Sequence, residues 1–286
     1  MELRRFDDAA IFYNHTRGFL LAHEAEHNLI LGICERLVAN TAHYGSAPYL
    51  AAVHAEGAVV AVAVMTPPWN LVLSLSPPQA LPLIAADLHT QHPTLPGVIG
   101  MAAVGRAFAE DWRRISGQVS RLRMATRIYQ LMAVRPVSGV PGVFRRATVA
   151  ERDLLVTWIW GVNAETPAAR EIDDRLRDAD RARYVWEVDG HPVSMAGQEG
   201  PTPHGIRINS VCTPLEYRRR GYASACVAAL SQHLLDSGYR FCFLSTDLSN
   251  PTSNRIYQAI GYTPVCDVDD YAFLPPERDL AQRAPA

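Results

Sequence analysis

The chain has 286 residues, 48% of them hydrophobic and 20% charged, with a formal net charge of −2. That composition suits a globular protein long enough for two ordinary domains, and it excludes both the basic surplus that draws nucleic acid and a run of about 18 apolar residues able to cross a bilayer. Cys34, Cys212, Cys226, Cys242 and Cys266 are widely spaced with no C-x-x-C pair, which argues against a disulfide framework or a cysteine zinc site.

The charged start, Met1 to Asp8, lacks the apolar core of a signal peptide, so a cytoplasmic protein without a membrane or nucleic-acid partner is expected. Every one of the 27 basic residues is Arg. A G- and C-rich genome produces that bias, and an enzyme that modifies amines also gains from carrying no lysine of its own.

In chain order, the first half predicts a helix around His23 to Asn40, then strands near Tyr49 to His54, Ala58 to Met65 and Leu71 to Ser76. Helices follow around Gln79 to His89 and Met101 to Ser116, and a last strand runs from Ile128 to Val134. His23-Glu24-Ala25-Glu26-His27 fits H-E-x-x-H, in which two His one helical turn apart hold zinc and the Glu activates water, with Glu35 or His43 as third ligand. The charged inner residue Glu26 and the absence of a G-x-x-H extension weigh against a zinc metallopeptidase and for a solvated helix face, so no metal is expected.

Pro136-Val137-Ser138-Gly139-Val140-Pro141-Gly142 reads as a linker, giving domains at 1–135 and 144–286 around a break at 136–143. The second half predicts helices at Ala150 to Val162 and Arg170 to Ala179, then strands at Arg183 to Val188, Pro192 to Gln198 and Gly205 to Thr213. A helix at Tyr222 to Ser237, a strand at Arg240 to Asp247, a helix at Thr252 to Ile260 and a strand at Val265 to Phe273 complete it. Gly238 and Gly261 supply the helix stops. The fold class is a mixed α/β sheet, and the first half repeats the element order of the second without its residues. Where the second half has an Arg-rich loop, the first has Ser76-Pro77-Pro78-Gln79, whose prolines remove the N–H donors an anion needs.

That loop carries the chemistry. Strand alternation in Ile206, Ile208 and Val211 stops at Thr213-Pro214, and a helical period starts after Gly221 with Ala223, Val227, Leu230 and Leu234. Gly221 has no Cβ and Ala223 only a methyl, so backbone N–H groups can approach an anion at the positive end of the helix dipole. Downstream, Asn250-Pro251-Thr252-Ser253-Asn254-Arg255-Ile256-Tyr257 begins with a helix cap and Pro in the first turn. Asn254 and Tyr257 lie three apart and share one face, with Ile256 and Ile260 on the core-facing side.

Arg218-Arg219-Arg220-Gly221-Tyr222-Ala223 resembles the R/Q-x-x-G-x-G/A signature of the GCN5-related N-acetyltransferase (GNAT) superfamily, and the Asn250 to Tyr262 segment resembles that family's second cofactor-contacting helix and its G-Y turn. The resemblance covers residues 145–275 by element order and implies two GNAT-like domains, the first degenerate. It also implies an acetyl-CoA-dependent N-acetyltransferase acting on a primary amine, small molecule or peptide, by direct attack. Val211, Cys212 and Thr213 would meet the pantetheine arm, Arg218 to Ser224 (Arg218, Arg219, Arg220, Gly221, Tyr222, Ala223, Ser224) the pyrophosphate, and Asn250 and Asn254 the cofactor arm. Tyr257 would protonate the leaving thiolate. The family's usual Glu on the strand before the bulge is Arg207 here, which leaves Glu199, His204, Asp247 or a water chain as base. The first domain would shape the acceptor pocket or a homodimer interface. A non-catalytic acyl-CoA-binding sensor is the competing reading; it explains the missing Glu but gives Tyr257 no task.

Overall fold

A computed structural model of the chain describes residues 1–160, 172–173, 176 and 181–276. The first half holds β1 (Glu2–Arg5), α1 (Ala9–Leu21), α2 (Asn28–Ala39), β2 (Tyr49–Ala55), β3 (Ala58–Met65), β4 (Leu71–Leu73), α3 (Leu81–Gln91), β5 (Gly97–Met101), α4 (Ala102–Ser116) and β6 (Val119–Leu131). There follow β7 (Val143–Arg146), α5 (Arg152–Trp160), β8 (Arg183–Val188), β9 (His191–Glu199), β10 (Gly205–Cys212), α6 (Tyr222–Asp236), β11 (Phe241–Asp247), α7 (Pro251–Ile260) and β12 (Thr263–Leu274). Most of the helix expected at 170–179 lies outside the described residues. The helix expected from 150 begins after a 3-10 turn at Val149–Glu151, where Thr148 and Glu151 form a capping box.

The chain divides into two compact units. One comprises Met1–Ile128, Asp247–Ser249 and the segment from Val265 onward; the other comprises Tyr129–Thr246 and Asn250–Pro264. These units are not consecutive stretches of sequence. The division falls at 128/129 rather than at the Pro/Gly segment 136–143, and β12, expected to close the second domain, belongs to the first unit from Val265.

In the first unit the strands run in the order β1-β2-β3-β4-β5-β12-β6. All neighbours whose register is defined pair antiparallel except β4 with β5, which are parallel. One face buries Leu81, Ile84, Phe108 and Trp112 of α3 and α4; the other buries Phe12, Leu20, Ile30 and Leu37 of α1 and α2. Two elements escaped the sequence reading. β1 is a short, charged edge strand paired with β2, and α1 opens on Asp8, whose carboxylate accepts from Ile11 N at 2.8 Å. Bidentate contact of Arg127 with Asp267, and donation from Arg123 Nε and Nη2 to the one oxygen Asp270 Oδ2, tie β6 to β12.

Close approach of β12 to β5 rests on Gly97, which is opposite Ala272 in the ladder. Any Cβ at position 97 would run into the Tyr271 carbonyl oxygen.

The second unit repeats the arrangement in the order β11-β10-β9-β8-β7, again with one parallel pair, β10 with β11. α6 and α7 cover one face, burying Cys226, Leu230, Leu234, Tyr257 and Ile260 with Ile206, Ile208 and Tyr129. Leu155, Val156 and Ile172 cover the other with Val185 and Met195. Gly261 (φ 117°) ends α7 and Gly238 (φ 103°) follows α6, as their positions after the apolar periods require.

Gly97→Ala is expected to destabilise the protein by about 1–3 kcal/mol through this overpacking. Urea unfolding checks it, and an unchanged midpoint would remove the tight β5/β12 contact as a constraint.

Candidate functional site

The second unit opens where its parallel pair parts. β10 and β11 hold register only from Gly205 and Phe241 to Arg207 and Phe243, although both strands continue. On the other side of β10, the register with β9 slips between Asn209 and Cys212, and Ser210 adopts φ 49°. This is a β-bulge, an extra residue that bends the strand and turns backbone groups out of the ladder. Ser194, fully buried on β9, holds the bend: its hydroxyl donates to Cys212 O at 3.1 Å and lies 2.8 Å from Thr213 Oγ1. Arg218 Nε donates to Thr213 O at 2.9 Å and closes the loop.

A cleft of about 660 Å³ fills the resulting gap. Its walls include Val211, Cys212 and Thr213 from the bulge, Arg218, Arg219, Gly221, Tyr222, Ala223 and Ser224 from the loop and helix start, and Asn250 and Tyr257 from α7. Eleven of the residues expected from sequence therefore meet in one place. Arg220 and Asn254 do not line it. Arg219 (φ 64°) and Gly221 (φ 82°) are both left-handed, and a Cβ on Gly221 would stand 2.8 Å from Val140. The first intrahelical bond of α6 is Ala225 N to Gly221 O, and no side chain caps the helix. N–H groups of Tyr222, Ala223 and Ser224 therefore lack acceptors within α6 and sit at the positive end of its dipole, an arrangement that favours negative charge.

α7 turns differently from its expected pose. Asn254 Oδ1 accepts from Tyr129 at 3.0 Å and its Nδ2 donates to Asn250 O at 2.8 Å, so its amide is bound within the unit. Ile256 packs against the core as expected and also lines the cleft, together with Thr252 and Ser253. Tyr217 also lines it. Thr252, Ser253 and Ile256 lie within the motif at 250–257 without being singled out by it, and Tyr217 lies outside both motifs. Tyr257 is 8% exposed, and burial pushes its phenol up to about 12, with no hydrogen bond from a described residue to offset it.

The expected bases lie elsewhere. Glu199 is buried opposite Arg207; Asn209 Nδ2 donates to its Oε2 at 2.7 Å and Arg181 Nη2 is 3.3 Å from its Oε1. Asp247 accepts from Ser249 N and Oγ, bonds that hold its carboxyl below the usual range. Neither Glu199, His204 nor Asp247 lines the cleft. Burial raises the Cys212 thiol, partly offset by Arg218, which suits a packing role.

The H-E-x-x-H segment is corrected by the geometry. Residues 22–27 form turns between α1 and α2 instead of a helix. His27 Nδ1 donates to Leu20 O at 3.0 Å and its Nε2 accepts from Leu75 N at 3.0 Å, so both ring nitrogens are occupied by backbone. In this arrangement His27 offers no free ring nitrogen to a metal. Burial, the main cause, lowers the pKa of His27 below 6.5. With the folded pKa below the unfolded one, the unfolded state binds the extra proton, so stability from this group is present above pH 6.5 and falls as pH drops toward the folded pKa. The stability gap between wild type and His27→Asn should therefore narrow by about 1.4 kcal/mol per pH unit within that window. Urea unfolding at stepped pH measures it, and a constant gap would contradict the buried neutral imidazole.

The sequence profile of the Acetyltransferase (GNAT) family matches residues 151–262. A search of curated proteins finds no match. Among solved structures, a Drosophila protein is similar at a TM-score of 0.68 with 13% identity, covering 96% of this chain and 99% of its own. A GCN5-related N-acetyltransferase from Sphaerobacter thermophilus gives 0.60 with 16% identity and 94% of each chain. A GNAT-family acetyltransferase from Colwellia psychrerythraea gives 0.57 with 11% identity, covering 96% of this chain and 99% of its own. The bulge, the parted strands and the uncapped helix start all lie within residues 151–262, the segment that matches the GNAT acetyltransferase profile, and over nearly its whole length the chain shares its fold with the acetyltransferases named above.

Proposed function

We propose that the protein transfers the acetyl group of acetyl-CoA to a primary amine by direct attack, in the cleft of the second unit. One observation supports this above the others: the uncapped helix start and a buried phenol with no hydrogen bond from a described residue line the same cleft, together with the bulged strand. Free N–H groups at 222–224 take the pyrophosphate, with Arg219 beside them. Backbone groups of Val211 to Thr213 pair with the pantetheine amides, and an N–H at the bulge faces the carbonyl oxygen that becomes negative in the tetrahedral intermediate.

Tyr257 then donates its proton to the departing sulfur. A thiol has a reference pKa of about 8.5, well below that of the buried phenol, but the same desolvation that raises the phenol also raises the thiol formed beside it. Proton donor and acceptor are shifted together. With Asn209 and Arg181 already on its oxygens, Glu199 serves as base at most through a water relay. The simpler route has the amine enter neutral and lose its proton to solvent after attack, because no carboxylate or imidazole stands among the described cleft residues.

Gly221→Asp places a carboxylate and a strained left-handed residue in the anion site. The strain and the contact with Val140 should lower the unfolding midpoint, so calorimetry is run well below that midpoint, where affinity for CoA should fall at least about tenfold; unchanged affinity would remove the pyrophosphate assignment. Tyr257→Phe should lower thiol release about 10²-fold with acetyl-CoA affinity preserved. Because that phenol stays protonated to about pH 12, wild-type turnover should rise with pH up to the acceptor's own pKa, with no earlier alkaline decline. A screen of amine acceptors by free-thiol release supplies both measurements and separates an enzyme from a cofactor sensor.

A further inference from the structure

We infer that Tyr129, carried by β6 outside the segment matched by the family profile, is a positioning residue that sets the rotation of α7 and with it the aim of Tyr257 into the cleft; this rests on the acetyl-transfer reading above. Tyr129 is 1% exposed. Its hydroxyl donates to Asn254 Oδ1 at 3.0 Å and accepts from Gln258 Nε2 at 3.2 Å. Those partners are four residues apart, so one phenol grips two successive turns of α7 on one side. The grip extends to the helix start, because Asn254 Nδ2 donates to Asn250 O while Asn250 Oδ1 accepts from Ser253 N at 3.1 Å.

Neither Asn254 nor Gln258 lines the cleft, whereas Ser253, Ile256 and Tyr257 do. The network therefore holds the helix from behind the reacting face. Its far end is anchored too: Arg135 N donates to Ile260 O at 2.7 Å, and a Cβ on Gly261 would meet Ala133 O at 2.9 Å.

Rotation is the freedom this arrangement removes. A phenol oxygen extends roughly 8 Å from a helix axis, counting a Cα radius of about 2.3 Å, so a turn of about 10° moves it by more than 1 Å. A misplacement of about 1 Å at a reacting group is enough to cost on the order of 10²-fold in rate. A phenylalanine at 129 would fill the same ring space, yet would leave the Asn254 acceptor and the Gln258 donor without their shared partner. Packing alone does not call for the hydroxyl.

The test is a double-mutant cycle on the full chain. Tyr129→Phe should lower thiol release about tenfold with the KM for acetyl-CoA within about twofold and an unfolding midpoint near wild type. In a Tyr257→Phe background the same change should cost nothing further, because there is no proton donor left to aim. Equal losses in both backgrounds, or no loss in the wild-type background, would overturn the inference. An activity-independent readout runs beside it: with ¹³Cζ-labelled tyrosine, the Tyr257 resonance, assigned through Tyr257→Phe, should shift in Tyr129→Phe. A shifted resonance in a protein that releases no thiol with any amine keeps the positioning role and removes the acetyl-transfer reading. An unshifted resonance overturns the positioning role whatever the activity.

Discussion

One extra residue in β10 governs the second unit. Ser210, at φ 49°, breaks the ladder with β9, and the strand bends away from β11 beyond Arg207. In an unbroken sheet every N–H and C=O of β10 would be spent on its neighbours. The bulge releases several of them in one place, and the parted strands leave room for a ligand to use them. Ser194 and Arg218 stabilise the bent form by bonding Cys212 O and Thr213 O. α6 then starts directly after the bend, so its free N–H groups face the same space. A straight strand would leave the helix start, the loop arginines and Tyr257 with nothing to surround.

The first unit shows the same plan with its opening used for structure. Its strand order and its single parallel pair match those of the second, but β4 is only Leu71–Leu73 and is followed by Ser74 to Pro78. Pro77 and Pro78 offer no N–H, and the N–H of Leu75 is taken by His27. A side chain from the turn between α1 and α2 thus satisfies a backbone donor after the strand, where the second unit leaves its donors to a cleft. Two copies of one architecture differ in whether polar backbone is satisfied from within.

Much of this was legible in the residues because it depends on local rules. Apolar periods located most helices, Gly238 and Gly261 marked helix ends, and the Arg-Gly-Tyr-Ala loop with Asn250 and Tyr257 identified the walls of the cleft. Readings failed where a distant partner decided the outcome. β1 carries Arg and Glu at an edge, so its pairing with β2 has no apolar signature. Residues 22–27 look helical but break into turns because His27 reaches Leu20 and Leu75. Spacing set Asn254 on one face with Tyr257, yet it could not show that Tyr129, far away in sequence, would claim the Asn254 amide and that, of the two, only Tyr257 would line the cleft. The unit to which β12 belongs depends on a strand pairing that no window of sequence contains.

The exchange of strands has a consequence for how the chain is made. The first unit needs Val265–Leu274 beside β5, and that segment follows every element of the second unit. Emerging from the ribosome, the first unit must therefore wait with one side of β5 unpaired until the second is nearly complete. Pairing across so long a separation is slow, and an open strand edge invites association in the interval. The first sequence half alone therefore lacks a strand of its own sheet, and completion of the first unit is tied to a segment made late in synthesis.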